Sequence, residues 1–275
     1  MRHTKLSLSA IALASVVAGA GGCEFEQASA AEMRMAVDES VATGEASNLE
    51  DDVFEITTDF TIGQGLADAA AHIRGVLESQ MPCSTISAPD AETLVVDFGT
   101  LDDACSYEGR TYAGVVTLHF SHDDASVTVE HGYDGLTNGR ATLDGTATVT
   151  WTPAEDGGVT RHIVSSLDHT GPRGSFHSDA DRTQHFGADR GAGVFSVEGT
   201  RTWEGPRGQT HAEWTATIDL DFAVPVDGSA VIDTPKGHEL TLGFAQIDDD
   251  TVEVTVSGGR RDRVFRVTQA GSVDG

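Results

Sequence analysis

The densest cluster of side chains able to hold a metal ion or move a proton is Asp168-His169, His177, Asp179, Asp181 and His185, in a stretch broken by Gly171, Pro172 and Gly174. Imidazoles mixed with carboxylates suit zinc, nickel or copper. His169, His177, Asp179, Asp181 and His185 are therefore the candidate ligands for a divalent metal, the one cofactor the sequence offers. A second group holds His119, His122, Asp123 and Asp124, and a turn at Asp123-Asp124-Ala125 would bring His119 opposite His131. The competing reading of both groups is that histidine replaces lysine as a polar residue on a wet strand face. Lysine is scarce here, with only Lys5 and Lys236, and His119 alternates with the apolar Leu118 and Phe120.

No catalytic residue can be assigned. The chain has no Gly-x-Ser-x-Gly elbow, His-Glu-x-x-His helix or Walker phosphate loop. Asp248-Asp249-Asp250 with Glu253 lacks the alternating oxygens and central glycine of a calcium loop and reads as a hairpin turn. Asp97-Phe98-Gly99 has none of the companion motifs of a kinase. Acids are too numerous for any pair to stand out as a glycosidase dyad. These observations favour a non-enzymatic binding or structural module. An envelope-polymer hydrolase and a divalent-metal-binding protein are the alternatives.

The N-terminus predicts where such a module works. Arg2, His3 and Lys5 precede an apolar run over 6–18, and Ala20-Gly21-Gly22 leads to Cys23. A basic start, a short apolar core and small residues make a secretory signal, too short to span a bilayer. A cysteine at its end resembles a bacterial lipobox, with Cys23 acylated and becoming the mature N-terminus. The alternative is an ordinary signal peptide cut near Ala28–Ala31. The expected organisation is a lipoprotein signal over 1–22, a flexible acidic tether over 23–52 rich in Ala, Ser and Glu, and one β-rich domain over 53–275. The expected location is the bacterial cell envelope, lipid-anchored, on the periplasmic face or the cell surface. An envelope protein or glycan is the expected partner beside the membrane itself.

Charge and cysteine usage agree with export. The chain carries 44 Asp and Glu against 17 Lys and Arg, a net charge of −27. Such a surface repels nucleic acid phosphates, so nucleic acid is not an expected partner. With Cys23 lipidated, Cys83 and Cys105 are left as a pair, and disulfides persist outside the cytosol.

The elements that position these residues follow from periodicity. Leu66, Ala69, Ala70, Ile73 and Leu77 form one helical stripe, predicting a helix over about 64–80 that starts near Thr61 or Gly63 and stops at Pro82. A short strand is expected over 53–58. Strands begin at about 92. Trp214, Ala216, Ile218, Leu220 and Phe222 alternate with Thr215, Thr217, Asp219 and Asp221, the period of a half-buried strand. The same period recurs at Val116–Phe120, Ala147–Trp151, Leu240–Phe244 and Val252–Val256, with turn residues such as Asn138-Gly139 and Asp156-Gly157-Gly158 between. The predicted fold class is mainly all-β: a large antiparallel meander of roughly eleven strands, as a curled sheet, open barrel or sandwich, with one short N-terminal helix. Leu143-Asp144-Gly145-Thr146 recurs as Val197-Glu198-Gly199-Thr200 and Val226-Asp227-Gly228-Ser229, an echo that suggests repeated hairpins.

The run Cys83-Ser84-Thr85, then Asp97-Phe98-Gly99-Thr100, Cys105 and Gly109-Arg110 before a strand, resembles a group of uncharacterised, Bacteroidetes-like β-rich lipoproteins. It departs from them in the longer spacing before Cys105, in Ser84 where they have proline, and in lacking a late cysteine near Asp248–Asp250. The resemblance implies an exported β-rich lipoprotein with a disulfide-stapled first hairpin, and no activity.

Overall fold

A computed structural model describes residues 27–57, 66–107, 109–123, 125–187 and 193–275. Cys23 and the expected helix start at Thr61 or Gly63 lie outside them. Two helices come first, α1 (Ala30–Thr57) and α2 (Leu66–Gln80). The strands that follow are β1 (Thr85–Ser87), β2 (Thr93–Asp97), β3 (Cys105–Tyr107), β4 (Arg110–His122), β5 (Val127–Thr137), β6 (Thr142–Pro153), β7 (Val159–Gly171) and β8 (Gly174–Phe186). The second half holds β9 (Val194–Gly205), β10 (Gly208–Asp219), β11 (Asp227–Asp233), β12 (Glu239–Asp248), β13 (Thr251–Ser257), β14 (Arg263–Thr268) and β15 (Val273–Asp274). The mainly-β meander is therefore present, with 15 strands rather than about eleven.

All pairings in the sheet are antiparallel between successive strands, except that β2 pairs with β4 and β3 forms a short side ladder on β4. The sheet is open, with β1 and β15 as its edges. It is also strongly curled. The turn after β5 and the turn after β14 are nine strand positions apart in the sheet order, about 43 Å across a flat sheet. Yet Arg140 in the first turn donates to the carbonyl of Ala270 in the second at 3.2 Å. Arg173, after β7, likewise donates to the carbonyl of Gly271.

The curl encloses α1, and this corrects the expectation of a tether over 23–52 for residues 30–52; residues 23–26 lie outside the described residues. Residues 30–57 are one continuous helix, and the strand expected over 53–58 is its last turn, with residue 58 outside the described residues. Ser29 caps it, its Oγ accepting the N–H of Glu32 at 3.2 Å. Glu50, Asp51, Asp52, Val53 and Phe54 are consecutive and all buried, so this part of the helix is covered on every side. Along its length α1 bonds to strands or turns from β4 to β15: Asp52 to Arg110, Thr57 to His131, Glu50 to Arg182, Glu39 to Trp203, Glu32 to His238, and Arg34 to the carbonyl of Val273. Its acidic composition mimics a solvated linker because its partners are arginines pointing inward from distant strands.

Two apolar clusters flank this helix. One joins its C-terminal half, through Leu49, Val53 and Phe54, to Ile73 and Leu77 of α2 and the inward faces of β2 to β7. The other joins Met33, Val37 and Val41 to the inward faces of β9 to β14. The echoed glycines have a steric reason. Gly145 and Gly199 hold φ of 127° and 145°, and a Cβ at either would sit 2.4 Å from a carbonyl of the adjacent strand. Only glycine permits both, and kinks of this kind help a wide sheet curl.

Cys83, just after α2, is bonded to the buried Cys105 at the start of β3, closing a loop across a sequence separation of 22. Chain-entropy reasoning gives such a loop about 3 kcal/mol. The Cys83→Ser/Cys105→Ser double substitution is expected to lower the melting midpoint by roughly 6–12 °C. An unchanged midpoint in a thermal melt would show that the bridge stabilises nothing.

Gly44 sits in the middle of α1, where alanine would ordinarily strengthen the helix by about 1 kcal/mol. Here a Cβ would fall 1.9 Å from the backbone carbonyl of Ala223, in the segment between β10 and β11. That segment is fixed, since Asn48 Nδ2 donates to the carbonyls of Leu220 and Phe222 at 3.3 and 2.7 Å. Gly44→Ala is expected to destabilise by about 1–3 kcal/mol, read by urea titration. Stabilisation would mean that α1 does not pack against this segment.

Candidate ligand-binding cavity

The residues singled out for metal chemistry do not converge. His169 faces the interior: it is buried, stacks on Phe176 at 4.5 Å, and its Nε2 lies 2.7 Å from Ser178 Oγ. His177, Asp179, Asp181 and His185 share the outer face of β8, strung out so that His177 and His185 are about 27 Å apart. Among the described residues no group of three or more His, Cys, Asp or Glu is arranged to hold a metal ion. The outer side chains pair locally instead, His162 with Asp181 at 2.7 Å and His185 with Asp156 at 2.8 Å. His119 and His131 also fail to meet, because His131 pairs with Leu118, so the two imidazoles lie on opposite faces. Trp151 and Trp203 are buried, and Trp214 is half-buried, on the inward side.

One outer arrangement has the composition of a catalytic triad. His177 Nδ1 lies 2.9 Å from Asp168 Oδ1, and its Nε2 lies 3.4 Å from Ser166 Oγ. The surroundings do not fit acyl transfer. Asp179 reaches the same Nε2 at 3.4 Å. The hydrogen bond to Asp168, against slight desolvation and with help from Asp179, raises the imidazole pKa. This favours an imidazolium donating to two carboxylates over a base for the serine. The strands on either side continue the ladder, which commits backbone N–H groups that an oxyanion hole would need.

The chemistry the sequence reading missed lies inside. Arg161, Arg182 and Arg201 occupy inward positions of the adjacent strands β7, β8 and β9, and all three are buried. They share a parity with Val159 and Ile163, with Ala180 and Phe186, and with Phe195 and Trp203 respectively. That parity was the available signal: a cation on the greasy face of a strand requires a buried anion. The anions come from α1. Arg161 donates to Glu55 at 2.7 Å, to Asp51 at 3.2 Å and to Gln184, while the rings of Phe186, Trp151, Phe54 and Phe195 surround its guanidinium at 4.4–5.4 Å. Arg182 donates to Glu50 at 2.8 Å and Asp51 at 3.1 Å. Burial opposes its charge, but Asp51 and Glu50 hold its pKa above the usual value.

Arg201 differs. It donates to the carbonyl of Thr43 and to Ser47 Oγ, both uncharged. Among the described residues it has no carboxylate within ion-pair distance. Burial, reinforced by the neighbouring Arg182, lowers its pKa to about 10. It borders a cavity of about 70 Å³ between α1, β8–β10 and the segment 222–225. Arg182 Nε and Ser40 Oγ belong to residues lining the same cavity, are shielded from solvent and lack hydrogen-bond partners. Trp214, Ile218, Phe222 and Val224 supply an apolar part of the lining. The arrangement joins unspent hydrogen-bonding capacity and positive charge to an apolar surface, the usual make-up of a small-molecule site.

No family model, curated protein or solved structure matches this chain.

Proposed function

We propose that this protein is an exported, lipid-anchored, non-enzymatic binding module of the bacterial cell envelope, with the cavity beside α1 as its binding element. The observation that carries the binding reading is that Arg182 Nε and Ser40 Oγ are buried without partners at a cavity with an apolar wall. Buried polar groups are nearly always satisfied, and an orphaned pair beside a cavity points to a missing occupant. The anchoring reading is supported by Ala20-Gly21-Gly22-Cys23 and by Ala28, which is buried and bridges to Gly259. A cut at residues 28–31 would remove that contact and the Ser29 cap, whereas a cut before Cys23 spares both. Ala28 lies five positions after Cys23, a reach of at most about 18 Å even for a fully extended chain.

Two measurements on the full chain, expressed in a bacterial envelope and extracted in detergent, test this. Intact-mass analysis is expected to find a chain starting at an acylated Cys23; an unacylated chain starting between residues 29 and 32 would end the anchoring claim. A thermal-shift screen against small metabolites is expected to find saturable stabilisation by at least one compound class. Stabilisation by none would remove the binding reading.

A further inference from the structure

We infer that the cavity beside α1 takes a small monoanion, a carboxylate carrying a short unbranched apolar chain, anchored by the guanidinium of Arg201. This rests on the binding reading above and names the chemistry of the occupant.

Three features converge on it. The first is charge. Three buried guanidiniums, Arg161, Arg182 and Arg201, share the layer. Arg161 has Asp51 and Glu55 in ion-pair range, and Arg182 has Glu50 and Asp51. Arg201 bonds only neutral acceptors, so Glu50 and Asp51 offset its charge only from a distance. A buried cation without a direct counter-ion is costly, and a monoanionic ligand removes that cost with a charge-assisted contact.

The second feature is donor geometry. Arg182 Nε and Ser40 Oγ add two unused donors among the residues lining the cavity. A carboxylate accepts from both at once, whereas an ammonium would meet two guanidiniums and find the one lining carboxylate, Asp51, already bonded to Arg161, Arg182 and Gln184. The third is shape. The lining also includes Trp214, Ile218, Phe222 and Val224, which reward a hydrocarbon and give nothing to a bare inorganic anion. A volume of about 70 Å³ is about half that of a cavity that takes benzene, so it holds a carboxylate and its first carbons, and the rest of a short chain follows the apolar lining toward the open side of the pocket.

The test compares pentanoate, pentanamide, n-pentylamine and sulfate by calorimetric titration of the full chain in detergent at fixed ionic strength. Pentanoate is expected to bind saturably and at least tenfold more tightly than the other three. Arg201→Gln is expected to weaken pentanoate at least tenfold, and Ser40→Ala several-fold, with the exposed Arg74→Gln unchanged. Pentanamide or pentylamine binding as tightly as pentanoate would overturn the anionic assignment and leave the binding reading standing. So would a folded Arg201→Gln protein that binds pentanoate like the parent. Sulfate equalling pentanoate would overturn the apolar tail. No saturable heat from any of the four sinks this inference, while the metabolite screen decides the binding reading separately. If Arg201→Gln does not fold, the ligand series on the parent and the Ser40→Ala variant still decide.

Discussion

Replacing Arg161 by methionine is expected to lower the free energy of unfolding by about 3–5 kcal/mol. The guanidinium is fully buried, and three of its nitrogens are bonded, to Gln184, Glu55 and Asp51. Methionine fills much of the same volume, so the loss is mainly electrostatic. It leaves Asp51 with Arg182 and Gln184 but takes away one of its two cations. It also removes the cation held among four aromatic rings, each contact of that kind contributing about 0.5–2 kcal/mol. Typical domains unfold at about 5–15 kcal/mol, so the loss is a large share of the total. Arg140→Met is the matched surface change, because Arg140 pairs with Glu45 from a 56% exposed position. It should cost no more than about 1 kcal/mol. Urea denaturation of both variants checks the contrast, and equal small losses would show that the inward arginines are not structural.

The second large effect is sensitivity to acid, set by His131 and His169. Burial lowers both imidazoles to about 3, with neighbouring arginines adding to the effect. In the unfolded chain each returns to about 6.5. Between those values the unfolded state binds more protons, so this stability is complete above pH 6.5 and is lost as pH falls toward 3. Asp52 acts in the opposite sense. Burial pushes its carboxyl up to about 7, against the lowering effect of Arg110, so its contribution is full below about 3.8 and is lost as pH rises through 7. Surface acids add their own pH dependence, which is common to the parent and its variants. The quantity to read is therefore a difference. From pH 7 to 5.5 the parent should lose about 2.5 kcal/mol relative to the His131→Phe/His169→Phe variant. Parallel stability profiles would mean that the two rings are not buried neutral.

What the sequence disclosed and what it hid share one physical cause. Alternation located the strands because the sheet has one wet face and one dry face, and runs such as Leu240, Leu242 and Phe244 do point inward, whereas the run from Trp214 leaves the strand at Asp219, with Leu220 and Phe222 in the segment after it. The stripe Leu66 to Leu77 found α2 because that helix has an exposed side; Ile73 and Leu77 are buried while His72 is exposed. Both are patterns of contrast between two faces. Helix α1 loses that contrast from Glu50 to Phe54, where every residue is buried, and its surroundings change from apolar cluster to arginine layer along its length. Its Glu50, Asp51 and Asp52 therefore read as solvated acid when they are among the most enclosed groups in the protein. The ligand cavity was hidden for the same reason. It lies between α1 and strands more than a hundred residues later, and its anchor, Arg201, stands out only when its parity with Phe195 and Trp203 is set against its charge. The histidines drew attention by number, yet most lie on the outer face, where a neighbouring carboxylate satisfies them.

The placement of α1 inside the curled sheet is open to one direct measurement: amide hydrogen exchange over residues 30–57 in the native protein, followed by mass spectrometry. Enclosure by the sheet, complete from Glu50 to Phe54, predicts that the helical amides from Val41 to Phe54 exchange only through global or near-global unfolding, with protection matching that of β6 and β7. Exchange of this segment within seconds, at the rate of an unstructured peptide while the strands stay protected, would show that it lies outside the sheet and that the arginine layer and its cavity are not built as described.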